Sequence, residues 1–264
     1  MKRYVALGSS MAAGPGIRPR AADAPRWSGR SARNYAHLVA ERLTLEPGVD
    51  FVDVTFSGAT TAHVLTDHQH GRPPQITALD GTEGLVTVTI GGNDVGYVPL
   101  LMAASLPRAA RRLPLLGGPI SELLDRDTRD RALAAVVDSL CAVGHALRRR
   151  APGARIFFVD YAPASGWGYL PLGVCPETIL PPAGAPAPPL PEAEADLGRQ
   201  VAATLERLTA DAAGATGCEV VRAAATRAAG PAAPQRFRDA RGRGFSCGST
   251  LTVSRSCATT DTAR

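Results

Sequence analysis

The sequence has five cysteines, Cys141, Cys175, Cys218, Cys247 and Cys257, but no CxxC pair, and their number is odd and their spacing wide. Neither a zinc site nor a disulfide framework fits that pattern, so reduced thiols are expected. Lysine is almost absent: Lys2 stands alone against 28 arginines, the usage of GC-rich coding. The glycine-rich turn after residue 7 therefore lacks the lysine of GxxxxGK[ST], and it lacks GxGxxG as well, which leaves phosphate or nucleotide binding a weak reading. No apolar run precedes the first strand pattern, since Met1-Lys2-Arg3 leads straight into it. The expectation is a soluble, cytoplasmic protein without a membrane span. The net charge of +5 is uneven: residues 222–264 hold eight arginines against Asp239 and Asp261, and the remainder is about neutral. Those arginines have only Phe237 and Phe245 among them and no base-reading motif, so nucleic acid is not an expected partner. No cofactor is implied.

Nothing resembling a linker divides the 264 residues, and 45% of them are apolar, enough for one sizeable core. Five apolar or β-branched runs bounded by turn residues read as buried parallel strands: Tyr4–Leu7, Phe51–Phe56, Leu85–Ile90, Arg155–Val159 and Glu219–Val221. Helical patterns fall between them at Ala32–Leu43, after Thr60, at Val98–Ala104, at Asp127–Arg150 and at Glu192–Ala213. In the fourth of these, Leu133, Val136, Val137, Leu140 and Val143 recur at three- and four-residue spacing, with charges opposite. Strand alternating with helix predicts a three-layer α/β/α sandwich on a five-stranded parallel sheet. Pro163–Pro191, with nine prolines, reads as a loop on the ligand side, where Trp167, Tyr169 and Leu170 offer apolar contacts.

Three loops carry residues suited to chemistry. Ser10, in Gly8-Ser9-Ser10, stands where the first strand meets its loop, the position of an acyl-transfer nucleophile or of a turn serine capping the next helix. Gly58, in Phe56-Ser57-Gly58-Ala59-Thr60, follows the second strand and offers a backbone amide with nothing on its Cα to block approach; a plain turn is the alternative. Asn93, in Ile90-Gly91-Gly92-Asn93-Asp94, follows the third strand and offers a side-chain amide.

Gly-x-Ser after strand one, Gly after strand two and Gly-x-Asn-Asp after strand three, in that order, resemble the SGNH, or GDSL-type, hydrolase family. The resemblance follows the order of elements over most of residues 3–221 and implies a flavodoxin-like sheet. It also implies an esterase or lipase-like acylhydrolase, acting on a lipid, aryl or carbohydrate ester. By it Ser10 is the nucleophile, and the Ser10 and Gly58 amides with the Asn93 side chain form the oxyanion hole. The chain departs from the family pattern at Ser9, where the family usually has Asp, and at the C-terminus, where it usually has Asp-x-x-His. The last histidine here is His145, so residues 146–264 supply no imidazole base. His37 and His145 sit in helical patterns; His63, His68 and His70 follow the Gly58 loop, and Asp67-His68-Gln69-His70 resembles a metal-binding cluster on a polar loop.

Composition changes abruptly at Arg222. Residues 223–264, rich in Ala, Arg, Gly, Ser and Thr, read as the product of a shifted frame that replaced the Asp-x-x-His segment and a final helix. The expected organisation is a hydrolase-like domain over 1–222 with an atypical, poorly ordered tail over 223–264. Loss of that helix predicts apolar surface left bare on one sheet face. Besides the ester hydrolase, the sequence supports a relative of the same fold that binds an ester or sugar without turning it over.

Overall fold

The apolar run beginning at Tyr4 forms the central strand β1 (Arg3–Gly8), in which every residue from Tyr4 onward is buried. The computed structural model of the chain describes residues 3–97, 126–160 and 192–223, together with the backbone of 236–238, 244–246 and 253–254. Within these, β1 leads into α1 (Ser10–Ala13), and α2 (Tyr35–Arg42), β2 (Phe51–Asp53) and α3 (Thr61–Leu65) follow. Next come β3 (Glu83–Thr89), α4 (Arg126–Arg150), β4 (Arg155–Val159), α5 (Glu192–Ala215) and β5 (Glu219–Val221). Two short 3-10 helices (Arg26–Ser28 and Gln75–Ala78) and three short strands, β6 (Arg236–Arg238), β7 (Gly244–Ser246) and β8 (Val253–Ser254), complete the described elements.

The main sheet has the order β2-β1-β3-β4-β5-β8. Its first five strands are parallel, and β8 pairs antiparallel with β5 through Val221 and Val253, adding a sixth strand that the sequence pattern did not suggest. β6 and β7 form a separate two-stranded ribbon. Alternation along the strands sorts the core. Val5, Leu7, Val86, Val88, Ile156 and Phe158 pack with Leu133, Val136, Leu140, Val143 and Leu147 of α4 and Val201, Ala202 and Leu205 of α5. Tyr4 and Ala6 point the other way and pack with Ala36 and Ala40 of α2 and with Phe51. That is the expected α/β/α layering.

Local chemistry adjusts several boundaries. α2 begins at Tyr35 rather than Ala32 because the Asn34 side chain caps it, accepting the His37 N–H at 2.9 Å. β2 ends early because the Asp53 carboxylate takes the N–H and hydroxyl of Thr55, although Val54 N–H and Phe56 N–H still donate to Ala6 and Gly8 of β1. Bare apolar sheet surface does not appear on β1–β5: among the described residues the exposed large apolar side chains are Met11, Ile17, Trp27, Leu38 and Val49, and Phe157 of β4 is buried. The helical pattern at Val98–Ala104 and the Pro163–Pro191 loop lie outside the described residues, as does the place of a final helix.

Candidate active site

The strand order reverses direction around β1, whose neighbours β2 and β3 lead away to opposite sides, and in such sheets the crevice beyond the carboxyl ends at this point takes the ligand. Ser10 follows β1, Gly58 follows β2 and Asn93 follows β3, so the three residues singled out from the sequence stand at the same end of three adjacent strands. α4 runs down from this end. A Cβ on Gly91 would lie 3.3 Å from Leu140, while a Cβ on Gly81, before β3, would lie 3.6 Å from Arg150 O.

The Gly8-Ser9-Ser10 turn is tightly fixed. Gly8 has φ +139° and passes so close to β3 that a Cβ there would sit 2.5 Å from Thr89 O. Only glycine fits such a crossing. Ser9 N–H donates to Thr89 O at 2.9 Å, and Gln75 holds the Gly8 backbone from the side, accepting its N–H at 2.7 Å and donating to its carbonyl at 3.1 Å. Ser9, not Ser10, is the N-cap of α1, and its side chain makes no capping hydrogen bond. Ser10 is the first helical residue and is 5% exposed, so the capping alternative does not describe it. Its own N–H has no acceptor among the described residues.

Gly58 adopts φ +79° in the next loop, and its N–H likewise has no acceptor among the described residues. The loop is pinned on both sides of it. Ser57 donates from N–H and hydroxyl to Ser28 O at 2.9 and 2.8 Å, and Asn93 donates from Nδ2 to Ala59 O at 2.8 Å. An amide nitrogen carries two hydrogens, so Asn93 keeps one beyond the bond to Ala59. Asp94 takes the N–H and hydroxyl of Thr61 at the start of α3, which ties the third loop to the second a second time.

Between the first two loops lies a segment that sequence reasoning missed. Arg30, buried, donates from Nε and Nη2 to Thr55 O at 3.2 and 2.9 Å, with Asp53 3.4 Å away as its counter-charge. One residue on, Ser31 N–H donates to Ala13 O at the end of α1; Asn34 Nδ2 reaches Asp53 at 2.8 Å. The stretch Ser28–Asn34 thereby grips the Ser10 helix and the Gly58 loop together. Burial works against ionisation of Asp53, but hydrogen bonding to His37, the Arg30 charge and bonds from Thr55 and Asn34 outweigh it, holding the carboxyl below its ordinary range.

The histidines do other work. His63 Nδ1 accepts Thr60 N–H at 3.1 Å in a capping box for α3, which commits its lone pair there and leaves Nε2 as the protonated nitrogen. His37 bonds Asn34 at 2.9 Å and meets Phe51 edge-on, His70 stacks on Phe56 at 5.4 Å, and His68 and His145 are exposed. Among the described residues no group of three or more His, Cys, Asp or Glu side chains is placed to hold a metal ion.

Residues 6–244 match the model of the GDSL-like lipase/acylhydrolase family. The chain belongs to that family. Among curated proteins, Lipase 2 of Streptomyces coelicolor is 34% identical over 162 residues, covering 60% of this chain and 52% of that protein. The lipase of Streptomyces rimosus is 30% identical over 158 residues with the same coverage. The matched part therefore spans about half the length of these curated relatives. The fold is shared with the crystal structure of phospholipase A1 from Streptomyces albidoflavus NA297, at TM-score 0.65 and 22% identity over 86% of this chain and 81% of that one. It is shared also with the extracellular lipase of Streptomyces rimosus, at TM-score 0.61 and 23% identity over 86% and 82%. In both sequence and layering this is a GDSL-type chain, with no described helix long and apolar enough to cross a membrane.

Proposed function

We propose that the chain is an acyl-ester hydrolase scaffold in which Ser10 is the nucleophile. Ser10 Oγ attacks the ester carbonyl carbon, the alcohol leaves, and water releases the acid from the acyl-serine. The oxyanion is held by the Ser10 and Gly58 N–H groups and the second Asn93 Nδ2 hydrogen. The observation that supports this most is that the Ser10 and Gly58 amides, one at the end of each of two adjacent strands, are both without acceptors among the described residues. Backbone donors oriented before the reaction and left unpaired are what a developing alkoxide needs. The substrate class is a small-molecule ester, lipid, aryl or carbohydrate, and the relatives' names, lipase and phospholipase A1, favour the first of these.

No histidine follows His145, and His63 commits Nδ1 to its cap. A serine hydrolase without its imidazole loses about a factor of 10⁶ in kcat and retains roughly 10³-fold over water from binding and the oxyanion hole. That observation favours a second reading, a binder of esters or sugars that does not turn them over. Labelling by a fluorophosphonate probe and hydrolysis of a short-chain aryl ester separate the two. Label lost in Ser10→Ala supports the hydrolase, and a native protein that takes no label supports the binder. The tail over 223–264 as a frame-shifted replacement for the Asp-x-x-His segment belongs to the same proposal, and translating the other two frames beyond codon 222 tests it.

A further inference from the structure

Of the five large apolar side chains exposed among the described residues, three, Met11, Ile17 and Trp27, belong to one stretch that begins in the Ser10 helix. Trp27 is 70% exposed and Ile17 48%. An indole left this open forgoes a large burial free energy, and such residues cluster where a protein meets a partner or the headgroup layer of a lipid surface. The stretch itself is well tied down. Ile17 N–H donates to Gly14 O, and Ala21 N–H to Arg30 O. Its two limbs meet where Gly29 faces Pro15, so closely that a Cβ on Gly29 would be 3.0 Å from the Pro15 Cβ. Ile17 and Trp27 each stand two residues from that contact, and Ser28, beside Trp27, holds Ser57 next to Gly58. The exposed apolar groups therefore form part of the rim of the candidate site.

The charge among them is mainly positive. Arg18, Arg20, Arg26 and Arg33 are exposed, against one exposed carboxylate, Asp23. The Arg26 guanidinium lies 5.9 Å from the centre of the Trp27 ring without covering it from solvent. We infer that residues 11–33 form an adsorption surface for an anionic lipid–water interface, bringing the Ser10 site to esters held in that interface. The apolar side chains enter the headgroup layer while the arginines meet its negative charge. A second copy of the chain is the poorer occupant, because a two-fold contact on this face would oppose one set of four arginines to another. The inference rests on the ester-hydrolase reading for its purpose, but adsorption itself needs no turnover.

The test uses the full chain carrying Ser10→Ala, so that no lipid is consumed, sedimented with phosphatidylglycerol or phosphatidylcholine vesicles at low salt. Binding to phosphatidylglycerol is expected to exceed binding to phosphatidylcholine by at least tenfold. Ile17→Ser with Trp27→Ser should lower it about tenfold, and Arg18→Ser, Arg20→Ser or Arg26→Ser about fivefold each. All five positions are exposed, and an unchanged thermal melt shows that the fold is kept. Protein that stays in the supernatant with phosphatidylglycerol overturns the inference, as does undiminished binding by the Ile17/Trp27 variant. A dimer in lipid-free sedimentation that the same variant converts to monomer also overturns it, assigning the face to a second copy. Hydrolysis of a soluble aryl ester by the native protein is scored separately: its absence strikes the hydrolase reading and leaves the vesicle result standing.

Discussion

Gln75 grips Gly8 at both of its backbone polar groups, with Oε1 2.7 Å from the amide nitrogen and Nε2 3.1 Å from the carbonyl oxygen. The two residues are 67 positions apart, and the contact is buried. It holds the end of β1 where the chain turns away into α1.

Gln75→Ala leaves the Gly8 N–H buried without a partner, whereas the Gly8 carbonyl keeps the Phe56 N–H at 2.9 Å. One orphaned buried donor costs about 1–3 kcal/mol. Urea denaturation should show a lower midpoint with an unchanged m-value. A midpoint equal to that of the native protein would show the grip to be without energetic weight.

Two glycine substitutions should move in opposite directions. Gly8→Ala puts a methyl 2.5 Å from a backbone oxygen at φ +139°, a clash no side-chain rotation relieves, and more than about 4 kcal/mol of destabilisation is expected. Gly214, exposed near the end of α5, has open space around its missing Cβ and no positive φ, so Gly214→Ala should stabilise by about 0.5 kcal/mol. Thermal melts of the two variants, side by side, check the pair.

The buried apolar runs and the amphipathic spacing of α4 made the layers and the five parallel strands legible in the sequence, and the small-residue turns after three of those strands located Ser10, Gly58 and Asn93. Arg30, Asp53 and Gln75 were not legible. Arg30 and Gln75 bond to backbone groups 25 and 67 residues away, and a side chain that bonds to the main chain leaves no complementary residue type to detect; Asp53 meets Arg30 and Asn34 from a distant loop without periodicity. The four-residue α1 is too short to show a helical period, and β8 pairs by its backbone from a stretch whose composition favours no element.

Asp53 ties stability to pH. Its folded-state carboxyl is held below the ordinary value by His37, Arg30, Thr55 and Asn34 despite burial. The stabilisation is then fully present above the unfolded value, near 4, and is lost as pH falls through the folded one. Asp53→Asn should flatten this acid slope and, by leaving Arg30 without its counter-charge, cost about 3 kcal/mol at neutral pH. Denaturation curves between pH 3 and pH 7 measure both effects; an acid slope that survives in the variant would assign the titration to another carboxylate.

Asn93 separates an oxyanion role from a latch. Asn93→Ala removes the bond to Ala59 O and the spare amide hydrogen together, and any measurable aryl-ester hydrolysis should fall in kcat by about 10²–10³ with KM little changed. A rise in KM with kcat preserved would make Asn93 a substrate contact or a loop latch instead.

The central claim is that Ser10 is a nucleophile facing an oxyanion hole. Its most direct measurement is covalent labelling of the native chain and of Ser10→Ala by a fluorophosphonate, read by intact mass and by the modified peptide. One adduct is expected, on Ser10, formed slowly for want of an imidazole base and absent from the variant. No adduct on the native protein, or an adduct that persists in Ser10→Ala, would contradict it.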